Sequence, residues 1–164
     1  MAKTVEDPAE LLTLLNMAVA RELQVSIQYM IQHTLMTGGK ESQTHAETNQ
    51  SKQGKFIGSH SPLWFPGTSL KKIAVTEMRH AEAIAERIVA LEEKPTAQPD
   101  PVVIGDSTAQ MIEIDREAEE EAIRLYTQII EVAKKQGDET TVKLFQRILS
   151  DEENHLNIFK DILL

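Results

Sequence analysis

Two pairs of residues in this chain have the types and the spacing to bind metal ions: Glu77 with His80, and Glu152 with His155. Because residues three apart lie on one face of a helix, each pair can direct a carboxylate and an imidazole to one point. Helical bundles build dinuclear metal sites from two such pairs and a lone glutamate from each of two other helices. The pairs therefore indicate an oxidoreductase with a dinuclear metal site.

Two further glutamates, Glu22 and Glu119, are candidates for the lone carboxylates. Apolar residues flank each of them at helical spacing, for example Val25 near Glu22 and Ala122 near Glu119. Four unpaired carboxylates in an apolar interior would each be destabilising by roughly several kcal/mol. Two divalent cations carry four positive charges and so balance four carboxylates, and we therefore expect a metal site in preference to a purely structural arrangement.

Helical periodicity and capping signals predict the elements that must position these residues. No strand pattern of comparable strength is present, so the predicted fold class is all-α, an antiparallel four-helix bundle in a single domain, residues 1–164. Ser107 with Gln110 forms a capping box, and Gly137 is suited to end a helix. The predicted helices span about residues 8–37, 69–93, 108–136 and 139–163. The inner stripe of the last helix is expected to run from Ile148 to Leu163.

The connections predict how the helices run. Residues 94–107 contain three prolines, and an extended segment of this length reaches up to about 46 Å. A helix of about 25 residues is only about 37 Å long, so this segment can cross the bundle and make the second and third helices parallel. Residues 38–67 form a long polar connection that is either functional or partly disordered. We expect Trp64 and Phe65 to dock it onto the bundle.

Composition excludes several classes of protein. The formal net charge is −9 and no basic run is present, which argues against nucleic-acid binding. Cysteine is absent, so any metal must be bound by oxygen and nitrogen ligands. No apolar run approaches the roughly 20 residues of a membrane span, and no signal segment is evident. A cytoplasmic location is expected.

The chain resembles the ferritin-like di-iron superfamily, and bacterioferritin most of all. The resemblance covers all four helices and is carried by residues 22–29, 77–82, 104–106 and 151–155. It implies oxidation of Fe²⁺ by O₂ or peroxide, for iron storage or detoxification, at two iron ions. By this resemblance, Glu77 and Glu152 would bridge the two irons. Glu22 with His80 would complete one iron, and Glu119 with His155 would complete the other. Ligand type alone leaves manganese and zinc open.

The resemblance also bears on residues near the site. Tyr29 would lie near the iron and could donate an electron, although a packed core tyrosine fits the pattern equally well. Met78 matches the methionine that binds haem b at a bacterioferritin dimer interface; plain interface packing is the alternative. Tyr126 is expected to pack in the core or beside the ligands. Asp115, one turn before Glu119, is expected to lie beside the ligands.

The other titratable residues singled out are expected to lie outside the site. His33, His45 and His60 lack partners at metal-binding spacing and are expected to be exposed or in loops. Glu82 and Glu153 are expected to face solvent.

Two rival functions stay open at the level of sequence. One is a non-storage di-metal oxidase, peroxidase or manganese catalase, and the other is a metal-stabilised helical interaction module. A homo-oligomer is expected, either a dimer or a cage. The long 38–67 connection and the lack of a fifth helix put the large storage cage of the family in doubt.

Overall fold

The protein is described by a computed structural model that covers residues 8–38 and 66–164. These residues form four helices and no strand, which confirms the predicted all-α bundle. The helices are α1 (Pro8–Thr37), α2 (Pro66–Ala90), α3 (Thr108–Gln136) and α4 (Glu139–Leu163). Most of the 38–67 connection, including Trp64 and Phe65, lies outside the described residues.

Helix α2 begins and ends three residues earlier than its predicted range of 69–93. It begins at Pro66, because proline is compatible with the first turn of a helix. It ends because Glu92 adopts a left-handed conformation with φ of 64°. The amides of Glu92 and Glu93 then donate to the carbonyls of Val89 and Ile88, a Schellman ending. This turn, and not Pro95, stops the helix.

Side-chain and glycine caps set the ends of α3 and the start of α4. The Ser107 hydroxyl accepts from the amide of Gln110 at 3.2 Å. The Gln110 side chain accepts from the amide of Asp106 at 2.8 Å, one residue before the amide that a standard capping box uses. Gly137 ends α3 with φ of 74°, and Asp138 then caps α4 through the amide of Thr141.

The crossover between α2 and α3 runs alongside α1. Three contacts fix it there: the amide of Thr96 donates to Asn16, that of Asp100 to the Ala20 carbonyl, and that of Val103 to Gln28. Because the contacts advance along α1 in chain order, the crossover returns to the end of the bundle at which α2 began. Helices α2 and α3 are therefore parallel, and both are antiparallel to α1.

The buried core consists of two apolar clusters separated by a polar layer. In α1, Leu15 belongs to one cluster and Tyr29 to the other, and Glu22 lies between them in the chain. Helix α4 repeats the pattern, with Phe145 and Phe159 on opposite sides of Glu152. The four helices thus carry their polar candidate ligands at one common level.

Two further findings concern the helix surfaces. Leu163, which was predicted to lie on the inner stripe of α4, is 39% exposed, because it lies at the last turn, beyond the apolar cluster around Phe159. None of the helices among residues 8–38 and 66–164 is long and apolar enough to cross a membrane.

Replacing Gly105 with alanine should destabilise the protein by about 1–3 kcal/mol, because overpacking strains a close contact. A Cβ atom at Gly105 would lie 2.8 Å from the backbone nitrogen of Met111, and backbone of the first turn of α3 cannot give way without disturbing the helix. Chemical denaturation measures the change. The control Ala97→Val adds methyl groups at an exposed position of the same crossover and should change stability by less than about 0.5 kcal/mol. Equal stability of the two variants would contradict this account.

Candidate metal centre

The six candidate ligands lie together in the polar layer at the middle of the bundle, and all six are buried. They form two overlapping groups in which one ligand atom per residue lies within 4.8 Å of the others. The groups are Glu22, Glu77, His80 and Glu152, and Glu77, Glu119, Glu152 and His155. Glu77 and Glu152 are common to both groups, so the geometry is that of two neighbouring cation positions with two shared carboxylates.

Each histidine directs Nδ1 toward both shared glutamates. Nδ1 of His80 lies 2.9 Å from Glu77 Oε2 and 3.1 Å from Glu152 Oε1. Nδ1 of His155 lies 2.8 Å from Glu77 Oε1 and 3.0 Å from Glu152 Oε2. The two imidazole rings have centroids 6.3 Å apart. The shared carboxylates therefore lie between the two histidines, with one oxygen of each directed to either side.

Hydrogen bonding within the centre is incomplete, and this suits metal ions. An imidazole Nδ1 carries at most one proton, yet each one lies close to two carboxylate oxygens. Glu77 Oε1 and Glu152 Oε1 are therefore left without a hydrogen-bond donor. One buried oxygen of each terminal glutamate, Glu22 Oε2 and Glu119 Oε2, also has none. Buried polar atoms without partners are rare and call for an explanation. Carboxylate and imidazole ligands for divalent cations supply one, since oxygen and nitrogen donors suit iron, manganese and zinc.

Two buried tyrosines hold the outer glutamates. Tyr29 donates to Glu119 Oε1 at 2.6 Å, and Tyr126 donates to Glu22 Oε1. Both tyrosines thus contact the site, but each reaches across to the glutamate of the other helix. The sequence pattern placed Tyr29 on the same face as Glu22 and did not show this crosswise pairing between α1 and α3.

Asp151 contacts the centre from outside, and sequence reasoning missed it. Its Oδ2 lies 3.2 Å from Nε2 of His80, and its side chain is half exposed. A carboxylate on the far nitrogen of a metal-binding histidine orients the ring and fixes its tautomer. Asp151 directly precedes the predicted ligand Glu152 in the sequence. This adjacency was the signal that could have identified Asp151.

Arg21 is the second residue that the sequence analysis missed. It is buried, with NH1 3.7 Å from Glu22 and NH2 3.7 Å from Glu119. Burial lowers the pKa of Arg21, but the negative charges of Glu119 and Glu22 outweigh it and raise this pKa further above its ordinary value. A charged residue beside a predicted inward-facing glutamate was the available signal.

Comparison with known proteins gives this geometry a family. Residues 67–164, more than half of the chain, match the family model of the ferritin-like domain. The chain belongs to the ferritin-like family. The predicted resemblance is therefore confirmed.

Within the ferritin-like family the chain is most informatively compared with bacterioferritins. Bacterioferritin from Desulfovibrio desulfuricans is 35% identical over 164 residues, which cover 99% of this chain and 79% of that protein. Bacterioferritin from Streptomyces coelicolor is 42% identical over 82 residues, 49% of each chain, so this match spans about half the length of the relative.

Solved bacterioferritin structures share the fold. That of Desulfovibrio desulfuricans, determined with its diiron site in different catalytic states, gives a TM-score of 0.77 at 34% identity and covers 99% of this chain and 83% of that one. That of Rhodobacter capsulatus, with a metal-free dinuclear site and haem iron, gives 0.76 at 22% identity, with 97% and 86% covered. At the lower identity the comparison shows the fold alone.

The remaining residues that were considered in the sequence analysis lie away from the metal centre or outside the described residues. Met78 is 58% exposed on α2, and Glu82 and Glu153 are exposed as predicted. His33 is buried within α1, so its predicted exposure is wrong: its position on α1 turns it toward the bundle. His45 and His60 lie outside the described residues.

Asp115 is buried but contacts none of the six candidate ligands by hydrogen bonds. Its Oδ1 accepts from the Gln28 side chain at 2.9 Å. Burial raises the pKa of Asp115 to about 7, against hydrogen bonds that lower it. It is thus a core residue one turn from Glu119.

When no metal ion is bound, both histidines of the centre are positively charged at neutral pH. Burial alone would lower the pKa values of His80 and His155, but the adjacent oxygens of Glu152 and Glu77 raise them to about 10 and about 11. Burial would raise the pKa of Glu77, but His155 and His80, whose Nδ1 atoms lie beside its two oxygens, lower it to about 2.

The pKa values of the two terminal glutamates, Glu22 and Glu119, shift upward, opposite to that of Glu77. Burial, followed by the charges of Glu152 and Glu77, raises the pKa of Glu22 well above its ordinary value. Burial and the charges of Glu77 and Glu152 do the same for Glu119. These two carboxyl groups resist ionisation until a cation arrives, so metal binding should release protons from the centre.

The metal-free protein should lose stability as pH rises from about 7 to about 10. The folded pKa values of His80 and His155 lie above the ordinary value of 6.5, so the stability from their protonation is complete below that value and is lost toward 10. Each group can contribute up to about 1.4 kcal/mol per pH unit. Urea unfolding in the presence of a chelator at pH 7 and pH 9 measures the change. A free energy of unfolding that is equal or higher at pH 9 would contradict the description of the centre.

Proposed function

We propose that this protein is a ferroxidase that oxidises Fe²⁺ to Fe³⁺ at a dinuclear site, for iron storage. The observation that carries the proposal is the pair of overlapping ligand groups that share Glu77 and Glu152. The likeness to a bacterioferritin with a diiron site, at 34% identity over almost the whole chain, supports it. The protein is thus an oxidoreductase with Fe²⁺ as its substrate.

The chain supplies binding, orientation and charge. Glu77 and Glu152 would hold both ions, and the two terminal pairs, Glu22 with His80 and Glu119 with His155, would complete one position each. Two Fe²⁺ ions give up two electrons, which with two protons reduce O₂ to H₂O₂ or, with H₂O₂ as the oxidant, yield water. The bridging carboxylates favour the ferric state because negative ligands stabilise the higher charge.

Tyr29 and Asp151 act on the ligands. The Tyr29 hydroxyl keeps Glu119 in its binding position through the 2.6 Å hydrogen bond. Asp151 orients the His80 ring through Nε2 and so leaves Nδ1 to face the cation. The contact of Tyr29 with Glu119 also supports a role for Tyr29 as an electron donor to the centre.

The rival functions are less favoured. A manganese catalase or di-metal oxidase could use the same ligand types, and a zinc-stabilised interaction module could use the same bundle. Neither is supported by the bacterioferritin relatives. Elemental analysis and activity assays of the native protein separate them. A ferroxidase should contain iron, a catalase should contain manganese and show catalase activity, and an interaction module should contain zinc and show no redox activity.

Storage requires an oligomer, and we propose that this chain forms one in the cytoplasm. The bacterioferritin relatives support an iron-handling assembly, either a dimer or a cage. Size-exclusion chromatography with light scattering gives the mass, and the iron retained per chain shows whether mineral is stored. A monomer that retains no iron would contradict storage while leaving ferroxidase chemistry intact.

Replacing Glu77 with glutamine should slow Fe²⁺ oxidation by about 100-fold or more. Loss of a residue that only hydrogen-bonds a metal ligand typically costs about 10–100-fold, and loss of a shared ligand should cost more. Stopped-flow absorbance of the ferric product measures the rate. The matched control is Glu82→Gln, which changes an exposed glutamate on the same helix and should leave the rate unchanged. Similar rates for wild type and Glu77→Gln would contradict the proposed function.

Haem binding is a separate proposal. Met78 is 58% exposed, and Val75 one turn earlier is 45% exposed, so two copies of the chain could present a methionine each to one haem between them. The haem would supply an electron-transfer group. Haem binding of this kind requires only that Met78 faces outward, and it does not involve the buried metal centre.

Replacing Met78 with leucine should abolish haem binding, because leucine keeps the volume but cannot bind iron. Titration with haem, followed by the Soret absorbance, should show half a haem per chain for wild type. Met17→Leu, at another exposed methionine, is the control and should bind like wild type. Equal binding by Met78→Leu, or none by wild type, would exclude Met78 as a haem ligand.

A further inference from the structure

A buried arginine bridges the two halves of the centre. Arg21 lies on α1 with its side chain 8% exposed, and its guanidinium is 3.7 Å from an oxygen of Glu22 and 3.7 Å from an oxygen of Glu119. These are the two terminal carboxylates, one from each ligand group. Among the described residues, Arg21 is therefore the one arginine or lysine that these contacts place beside both terminal glutamates.

The surroundings fix the guanidinium in this place. Arg21 donates to the carbonyl of Ala118 on α3 and lies over the Tyr126 ring, with its Cζ atom 5.9 Å from the ring centroid. Its NH1 has no hydrogen-bond partner, so the group is held by charge and packing more than by a full set of hydrogen bonds. A buried arginine of this kind keeps its charge, because guanidinium does not lose its proton in proteins.

The count of charges shows what this arginine does. Four glutamates carry four negative charges, and two divalent cations neutralise them completely. The guanidinium is then a surplus positive charge next to two bound cations. Without the cations the same guanidinium, 3.7 Å from each terminal carboxyl group, attracts both Glu22 and Glu119. Arg21 thus stabilises the metal-free centre and opposes the loaded one.

We infer that Arg21 is a positioning residue that weakens the binding of divalent cations at the dinuclear centre and holds Glu22 and Glu119 in place when the cations are absent. This inference rests on the proposed function, because it concerns the affinity of the same site for divalent cations. A centre balanced in this way releases its cations more readily than four carboxylates alone would, as suits a site at which iron is the substrate.

Titration of the chelator-treated full-length protein with Co²⁺ tests the inference without any turnover, because Co²⁺ gives a visible spectrum when bound. Arg21→Gln should lower the dissociation constant of Co²⁺ by about tenfold or more, since it removes a like charge from the site. Arg21→Lys keeps a positive charge and should stay within about threefold of wild type. The melting temperature of metal-free Arg21→Gln should fall, while its rise on adding Co²⁺ should exceed that of wild type.

Arg87→Gln is the matched control. Arg87 is also a partly buried arginine in an ion pair, with Asp138 at 2.8 Å, but it lies ten residues beyond Glu77 on α2, about 15 Å along the helix axis. This variant should lose stability without any change in Co²⁺ affinity. If Arg21→Gln does not fold, Arg21→Met, which fills the volume without a charge, takes its place with the same expectation.

The outcomes separate the two proposals. Unchanged or weaker Co²⁺ binding by the uncharged Arg21 variants, with two Co²⁺ ions per wild-type chain, would overturn the role of Arg21 and leave the ferroxidase standing. Failure of wild type to bind two Co²⁺ ions would overturn the dinuclear centre, and the role of Arg21 with it.

Discussion

The burial of four carboxylates in the middle of an apolar core is the constraint on which the rest of this structure depends. Each glutamate is 0% exposed, and the layer they form is closed on both sides by apolar clusters. Desolvation and mutual repulsion make such an arrangement unfavourable unless positive charge enters the layer. The chain provides two imidazoles and one guanidinium, which offset the charge in part. Two divalent cations offset it fully.

The topology brings these charges to one level. The crossover runs along α1 through Asn16, Ala20 and Gln28, so α3 starts at the same end as α2. The Gly137 turn then returns α4 antiparallel to α3, so that α4 packs against α3 and α2 and runs in the same direction as α1. Four glutamates that lie far apart in the sequence therefore meet, and each helix turns its apolar residues above and below them toward the same two clusters. The hydrogen bonds of Tyr29 and Tyr126 tie α1 to α3 across the site.

The sequence predicted the parts of this arrangement that periodicity controls. The Glu-x-x-His spacing, and the apolar residues around Glu22 and Glu119, placed six side chains on inner faces, and the structure brings all six together. The fold class followed from the same period. What periodicity does not encode is contact between helices: the crosswise pairing of Tyr29 with Glu119 depends on the rotation of α1 against α3. Nor could a rule that expects arginine at the surface place Arg21 inside. The end of α2 was missed because Glu92, a residue without glycine's freedom, adopts the left-handed conformation.

Crystals of the protein loaded with Fe²⁺ under anaerobic conditions would test the central claim most directly, through anomalous diffraction at the iron edge. Two anomalous peaks per chain, about 3.5–4 Å apart and both within bonding distance of Glu77 and Glu152, are the predicted result. A single peak, no peak, or iron bound only at surface carboxylates would contradict the account.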